Sequence, residues 1–159
     1  MLLCPTYVPT MQFLSFSLTD ENQVMLPAES LTQVLSLDPS QIVPIPDMHF
    51  SVMGVCNRRG QVLWVVDLAY LLGFDALFSQ NLFYPKHSVL VIRSQGKMLG
   101  LAVHKMGSLI SYEGVQLQPP PTIVNPQMQV LALCLKGKIA SPEGKYLLVL
   151  DADAIVNFL

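Results

Sequence analysis

The side chains that could do chemistry in this 159-residue chain are scattered, and their spacing gives them little to do. His49, His87 and His104 stand apart from one another and from any Cys or Glu at ligand spacing, so no metal site is signalled. Cys4, Cys56 and Cys134 are odd in number and widely separated, with no Cys-x-x-Cys pair. That pattern suggests neither a disulfide framework nor a zinc knuckle, and it fits a reducing cytoplasm. Ser94-x-x-Lys97 matches the nucleophile motif of some acyl enzymes, but that motif needs a helix start, and here it occupies a hairpin turn. Asp67 and Asp151 could be imagined as a paired acid and base. Each directly follows an apolar strand, which makes helix capping the better explanation. No glycine-rich phosphate loop, Gly-x-Ser-x-Gly elbow or Gly-x-Gly-x-x-Gly fingerprint occurs. We therefore expect no catalytic residue, no cofactor and no metal.

What stands out is a pair of guanidinium groups. Residues 54 to 72 read as a strand, a tight charged turn, an apolar strand and a short capped helix in unbroken succession. The turn places Asn57, Arg58 and Arg59 at its tip, with Gly60 supplying a positive φ. Val62 to Val66 runs apolar on both faces, so this strand is expected to be covered on both sides, holding the two arginines out from a rigid support. Two readings of those arginines stay open. One is an ordinary solvated hairpin tip, and the other is a planar donor aimed at a partner's carboxylate or carbonyl.

Size and composition narrow the class. A chain of this length forms one domain, or two small lobes sharing a core, and buries roughly two thirds of its unfolded surface. Hydrophobic residues make up 52% and charged ones 13%, with a mean hydropathy of +0.47. Either apolar surface is exposed for a partner or a β-rich fold has an unusually large core. A net charge of −2 without any basic stripe argues against nucleic acid. Apolar runs end well before the ~18 residues of a membrane span, and Pro5 and Pro9 interrupt the start where a signal peptide would need a long apolar stretch. A soluble, unexported protein is expected.

The remaining elements follow from alternation and turns. Gln12 to Leu18 and Val24 to Leu26 form a hairpin, and Leu31 to Leu37 a strand after a brief helical turn at Pro27. Ile42 to Ile45 can pair at an edge, where Pro44 and Pro46 do least damage. Ser88 to Arg93 and Met98 to Val103 make a second hairpin, followed by a strand from Ser108 to Tyr112. Pro119 to Pro121 and Asn125-Pro126 enclose a stiff connection. Val130 to Leu135 and Tyr146 to Leu150 are expected as the last hairpin, around a polar loop from Lys136 to Lys145. An echo links residues 65–72 and 149–156: each is an apolar strand, an Asp at the N-cap and a short helix. It implies two β lobes, each finished by a helical plug, with residues 74 to 87 crossing between them.

With these elements in order, the chain resembles the CheW family of chemotaxis coupling proteins. Gly54-Val55-x-Asn57-x-Arg59-Gly60-x-x-x-x-Val65-Val66-Asp67-Leu68 is similar to that family's Gly-Val-x-Asn-x-Arg-Gly-x-x-x-Pro-x-x-Asp-Leu signature. Phe13-Leu14-x-Phe16-x-Leu18 resembles its opening strand, and Ser88 to Ile92 with Leu99-Gly100-Leu101-x-Val103 its middle hairpin. The resemblance implies a mainly β fold of two intertwined five-stranded, SH3-like β-barrel lobes with short helices. It places an N-terminal extension at residues 1–11 and a single two-lobed domain at residues 12–159.

The same resemblance implies a non-catalytic adaptor that joins the cytoplasmic tip of a methyl-accepting receptor, or a photoreceptor, to the regulatory domain of a CheA-like histidine kinase. The expected location is cytoplasmic, recruited to receptor arrays without membrane insertion. Leu31, Gln33, Gly54, Arg59, Gly100, Met106 and Leu109 match the family's binding faces, with Asn57 and Arg58 added by the turn itself. Gln33 replaces an acidic residue common in the family, and His104 sits where an Asp is usual. Such divergence suits a paralogue serving type IV pilus motility or phototaxis. Competing readings are an uncoupling competitor of the same fold and a barrel that binds single-stranded nucleic acid through exposed aromatics.

Overall fold

The computed structural model describes residues 10–77, 86–114, 116–141 and 143–159. Cys4, most of the expected extension and residues 78–85 of the expected crossing lie outside the described residues. The strands are β1 (Thr10–Ser17), β2 (Gln23–Pro27), β3 (Leu31–Leu37), β4 (Val52–Arg58), β5 (Gln61–Asp67), β6 (His87–Ser94), β7 (Lys97–Val103), β8 (Lys105–Glu113), β9 (Leu135–Ala140) and β10 (Tyr146–Leu150). Short helices accompany them among the described residues, including α1 (Leu68–Leu71), α2 (Gln129–Leu133) and α3 (Ala152–Asn157).

The strands form two five-stranded sheets, ordered β8-β1-β2-β10-β9 and β3-β6-β7-β5-β4. In neither does the first strand pair with the last, so each barrel is open along one side. The two orders are the same once β8 is matched to β3, β1 to β6, β2 to β7, β10 to β5 and β9 to β4. Even the parallel pair recurs at the same place, as β2 with β10 and β7 with β5. One lobe is continuous in sequence from β3 to β7. The other starts at β8 and is completed by the N-terminal hairpin, so that Thr10 lies opposite Glu113. This circular permutation is the physical content of the intertwining.

Consecutive residues of the central strands are buried on both faces, which explains the high apolar fraction, while the edge strands β3 and β8 are largely exposed. Along β6, Val89 and Val91 face a core inside their own lobe with Leu63, Val65 and Ala102. Leu90 and Ile92 point the other way, into a core between the lobes shared with Phe16, Leu26, Val66 and Leu150. A third core of Phe13, Met25, Ile139 and Val149 fills the other lobe. A one-residue slip of any of these strands would exchange the two cores, so pairing register is strongly specified. At Ser15 the β1–β8 register shifts. The Ser15 hydroxyl bridges the gap there, accepting from Ser108 N–H at 3.0 Å and donating to its carbonyl at 3.1 Å.

The strand-Asp-helix echo is real in three dimensions. Asp67 is 3% exposed; one carboxylate oxygen accepts from Tyr70 N–H at 3.2 Å and the other from Leu77 N–H at 2.8 Å. Burial raises its pKa, and these backbone bonds partly oppose the rise. Asp151 caps α3 by accepting from the N–H groups of Asp153 and Ala154. The echo also has a part invisible in sequence. Before each unit an extended residue crosses the edge strand: Val43 bridges to Val55, and Gln118 to Lys138. Each crossing passes over a glycine, Gly54 or Gly137, where a Cβ would sit 2.2 Å from the Val43 carbonyl oxygen or 2.4 Å from that of Gln118.

Two expectations need correction. Residues 129–133 are helical, and the strand facing β10 is Leu135–Ala140, so Lys136 to Ala140 belong to a strand and not to the polar loop. Asn125 accepts from Gln127 N–H at 3.0 Å and Pro126 opens a 3-10 turn that runs into α2. A six-residue apolar run carries no decisive period, and the start signal before it decides. Second, β5 is covered on both faces only in its last part: Val65 and Val66 are fully buried, whereas Val62 is 68% exposed near the hairpin tip.

Candidate partner-binding site

The β4–β5 hairpin closes through Arg59 and Gly60, with φ of 50° and 81°. Two consecutive positive φ values define the type I′ turn that suits the twist of paired strands. Gly60 adopts its value without cost, while Arg59 pays about 1 kcal/mol for it. Asn57 secures the turn, its Oδ1 accepting from Gly60 N–H at 3.0 Å. Arg59 is exposed at the tip.

Arg58 is not held out beside it. It is the last residue of β4, on the same face as Gly54 and Cys56, so its side chain turns toward the mouth of the lobe. There its Nη2 donates to the Gln33 side-chain oxygen on β3, linking the two edge strands that do not pair. The other terminal nitrogen, Nη1, is buried and has no hydrogen-bond partner among the described residues. The surrounding notch has a volume of about 240 Å³ and is lined by Thr32, Gln33, Arg59, Gln61, Val62 and Met98 around Arg58. Sequence reasoning missed Thr32, Gln61, Val62 and Met98. Period-2 spacing from Gly54 through Cys56 to Arg58 was the available signal for the inward turn.

The structure brings Gln33, Asn57, Arg58 and Arg59 together at this end of one lobe. Gly54 and Gly100 are interior: the first yields to Val43, and a Cβ on the second would meet Val89 at 3.0 Å and the Trp64 carbonyl at 3.2 Å. Leu31 and Met106 are half-buried against the core between the lobes. Leu109 is 59% exposed on β8, an edge strand of the other lobe. His104 is buried where β7 passes to β8, its Nε2 2.8 Å from Asp20 on the β1–β2 turn. A separate cavity of about 470 Å³, lined by Trp64, Met48, Leu99, Val156 and Leu159, lies between β5, β7 and α3.

The lining of the hairpin notch holds no His, Asp, Glu or Lys to act as a base; elsewhere His49 Nδ1 lies 2.8 Å from the hydroxyl of the buried Ser51. Burial raises the Cys56 thiol, only partly offset by Arg58, and the Cys134 thiol is pushed up to about 12 by burial and by Asp151. No group of three or more metal-ligating side chains exists among the described residues. Nor, among the described residues, is any helix long and apolar enough to cross a membrane. The hairpin end presents planar donors, an apolar shoulder and a backbone fixed by the Asn57 bond.

Known proteins resemble the chain along most of its length. The model of the CheW-like domain matches residues 12–158. The chemotaxis protein CheW of Thermotoga maritima is 27% identical over 146 residues, covering 92% of this chain and 87% of that protein. The CheW of Rhizobium meliloti is 27% identical over 112 residues, 70% of this chain and 67% of its own. Among solved structures, the scaffolding protein TtCheW of Thermoanaerobacter tengcongensis superposes with a TM-score of 0.74 at 18% identity, covering 96% of this chain and 92% of that one. With the two five-stranded lobes and a family match from residue 12 to residue 158, the chain belongs to the CheW-like domain family.

Proposed function

We propose that this chain is a non-catalytic adaptor of chemotaxis-type signalling, joining methyl-accepting receptors to the regulatory domain of a CheA-type kinase. The observation that carries the reading is the family match across residues 12–158, in company with relatives named as chemotaxis proteins. The hairpin tip supports it. An arginine kept at a positive φ, where Gly or Asn would sit more easily, points to a use for that side chain. Contacts at the arginine end of one lobe and at the exposed Leu109 edge of the other would each be modest, with strength gained from simultaneous engagement in an array. Service in type IV pilus motility or phototaxis remains part of the proposal, motivated by Gln33 and His104 at positions where the family favours acidic residues.

Calorimetric titration of the kinase regulatory domain and of a receptor-tip fragment from the same cell tests the reading, with Arg59→Asp as the matched control. Saturable binding weakened by the substitution supports the adaptor. Two folded proteins that bind neither partner would end it. An uncoupling competitor would bind the kinase domain and lower receptor-stimulated kinase activity when added to a reconstituted mixture, and an adaptor would raise it.

A further inference from the structure

We propose that the Arg58 notch receives one carboxylate side chain of a partner protein, so that the chain selects partners presenting an acidic residue beside an apolar one. The inference rests on the adaptor reading for the class of partner and deepens it by naming the chemistry of the contact.

A guanidinium carries five N–H donors and keeps its charge at any physiological pH. At Arg58 one terminal nitrogen donates to the neutral oxygen of Gln33, and the other is buried with no acceptor among the described residues. A buried donor without an acceptor loses its water and gains nothing in return, and the loss is greater for a cation. Asp and Glu are absent from the notch lining, which carries a second cation in Arg59. Among the described residues no carboxylate lies within ion-pair distance of Arg58; the pair formed elsewhere is His104 with Asp20. The site thus holds a positive charge, a free donor and no anion.

The shape favours a protein side chain over a free anion. A volume of about 240 Å³ admits a carboxylate on a short stem. Val62, 68% exposed, stands at the rim, and Met98 lines the wall. An apolar shoulder beside a cationic notch is the composition of a contact centre that excludes water around one charged anchor. The planar fork of Arg suits a carboxylate in a way that a lysine ammonium does not. Gln33 lies on the exposed edge of β3 and does not fill the role, because its amide oxygen carries no net charge.

Gln33→Glu supplies the missing anion from within. If the notch awaits a carboxylate, this variant melts at a higher temperature than the natural chain and binds its partner about tenfold more weakly, since its own glutamate occupies the site. Arg58→Gln also weakens binding, without the gain in melting temperature. Acetate titrated into nitrogen-15-labelled protein shifts the Arg58 side-chain resonances in the natural chain and leaves them unmoved in Gln33→Glu. Unchanged partner affinity in Gln33→Glu overturns the proposal, as does an Arg58 signal indifferent to acetate. If the natural chain binds neither kinase domain nor receptor tip, the adaptor reading falls, and the acetate titration still decides whether the notch takes a carboxylate.

Discussion

Three glycine-to-alanine substitutions separate collision from backbone strain and test why the fold places glycine where it does. Gly54→Ala suffers both. Its Cβ would lie 2.2 Å from the Val43 oxygen and 2.6 Å from the Val43 carbon, and its φ is +147°. Relief requires the 42–46 segment to lift, breaking the bonds from Val43 N–H to Val55 O at 2.7 Å and from Val55 N–H to Val43 O at 2.9 Å. Each is worth about 1 kcal/mol net, and the positive φ adds roughly 1–3 kcal/mol. A total of about 3–5 kcal/mol is a large part of the roughly 5–15 kcal/mol stability of such a domain. Gly137→Ala meets the Gln118 oxygen at 2.4 Å and endangers two equivalent bonds of 2.9 and 3.0 Å, but its φ is not in the positive region. Its cost should be about 2–3 kcal/mol. Gly60→Ala has nothing within 4 Å and pays for its φ of +81° alone, about 1 kcal/mol. Urea denaturation followed by circular dichroism, with slopes compared to confirm a common unfolded state, reads the series directly. Finding Gly54→Ala no costlier than Gly60→Ala would refute the crossing-strap account.

Asp67→Ala leaves the N–H groups of Tyr70 and Leu77 without acceptors and should cost about 2–4 kcal/mol in the same assay. Because burial raises the Asp67 pKa, the native state holds its proton more tightly than the unfolded chain; the resulting stability is present below the ordinary carboxylate pKa and lost as pH rises through the raised value. The stability of the natural protein relative to Asp67→Asn should therefore fall as pH rises from 4 to 7, and a difference independent of pH would contradict the burial assignment. Cys56 and Cys134 should resist iodoacetamide at pH 7.5 in the native protein and react in urea, as counted by mass spectrometry. Ser15→Ala removes the hydroxyl that bridges the β1 bulge to Ser108 and should cost about 1–3 kcal/mol by urea denaturation.

How much of this was legible in the sequence depended on how local the cause was. The hairpins at Arg59-Gly60 and Gln95-Gly96, the capping aspartates and the two-lobe inference all rest on neighbours in sequence, and the structure carries each of them. The permuted second lobe was not legible, because β1 finds β8 roughly a hundred residues away and no short pattern records such a pairing. Val62 is exposed at the end of an apolar run, because such a run does not reveal where its sheet ends. Arg58 belongs to the charged tip in sequence, but its parity with Gly54 and Cys56 sends its side chain inward. Gly54 and Gly100 matched binding positions by motif, yet each is buried and closely approached by its own chain. Leu31 and Met106 border the core between the lobes, while Leu109 stands exposed on a separate edge.

The central claim is that this chain physically bridges receptor and kinase. Vesicles bearing the cognate receptor, sedimented with the kinase regulatory domain in the presence and absence of the chain, test it most directly. The account predicts that the kinase domain sediments only when the chain is present, and that Arg59→Asp reduces its recovery. Equal recovery of the kinase domain with and without the chain would contradict it.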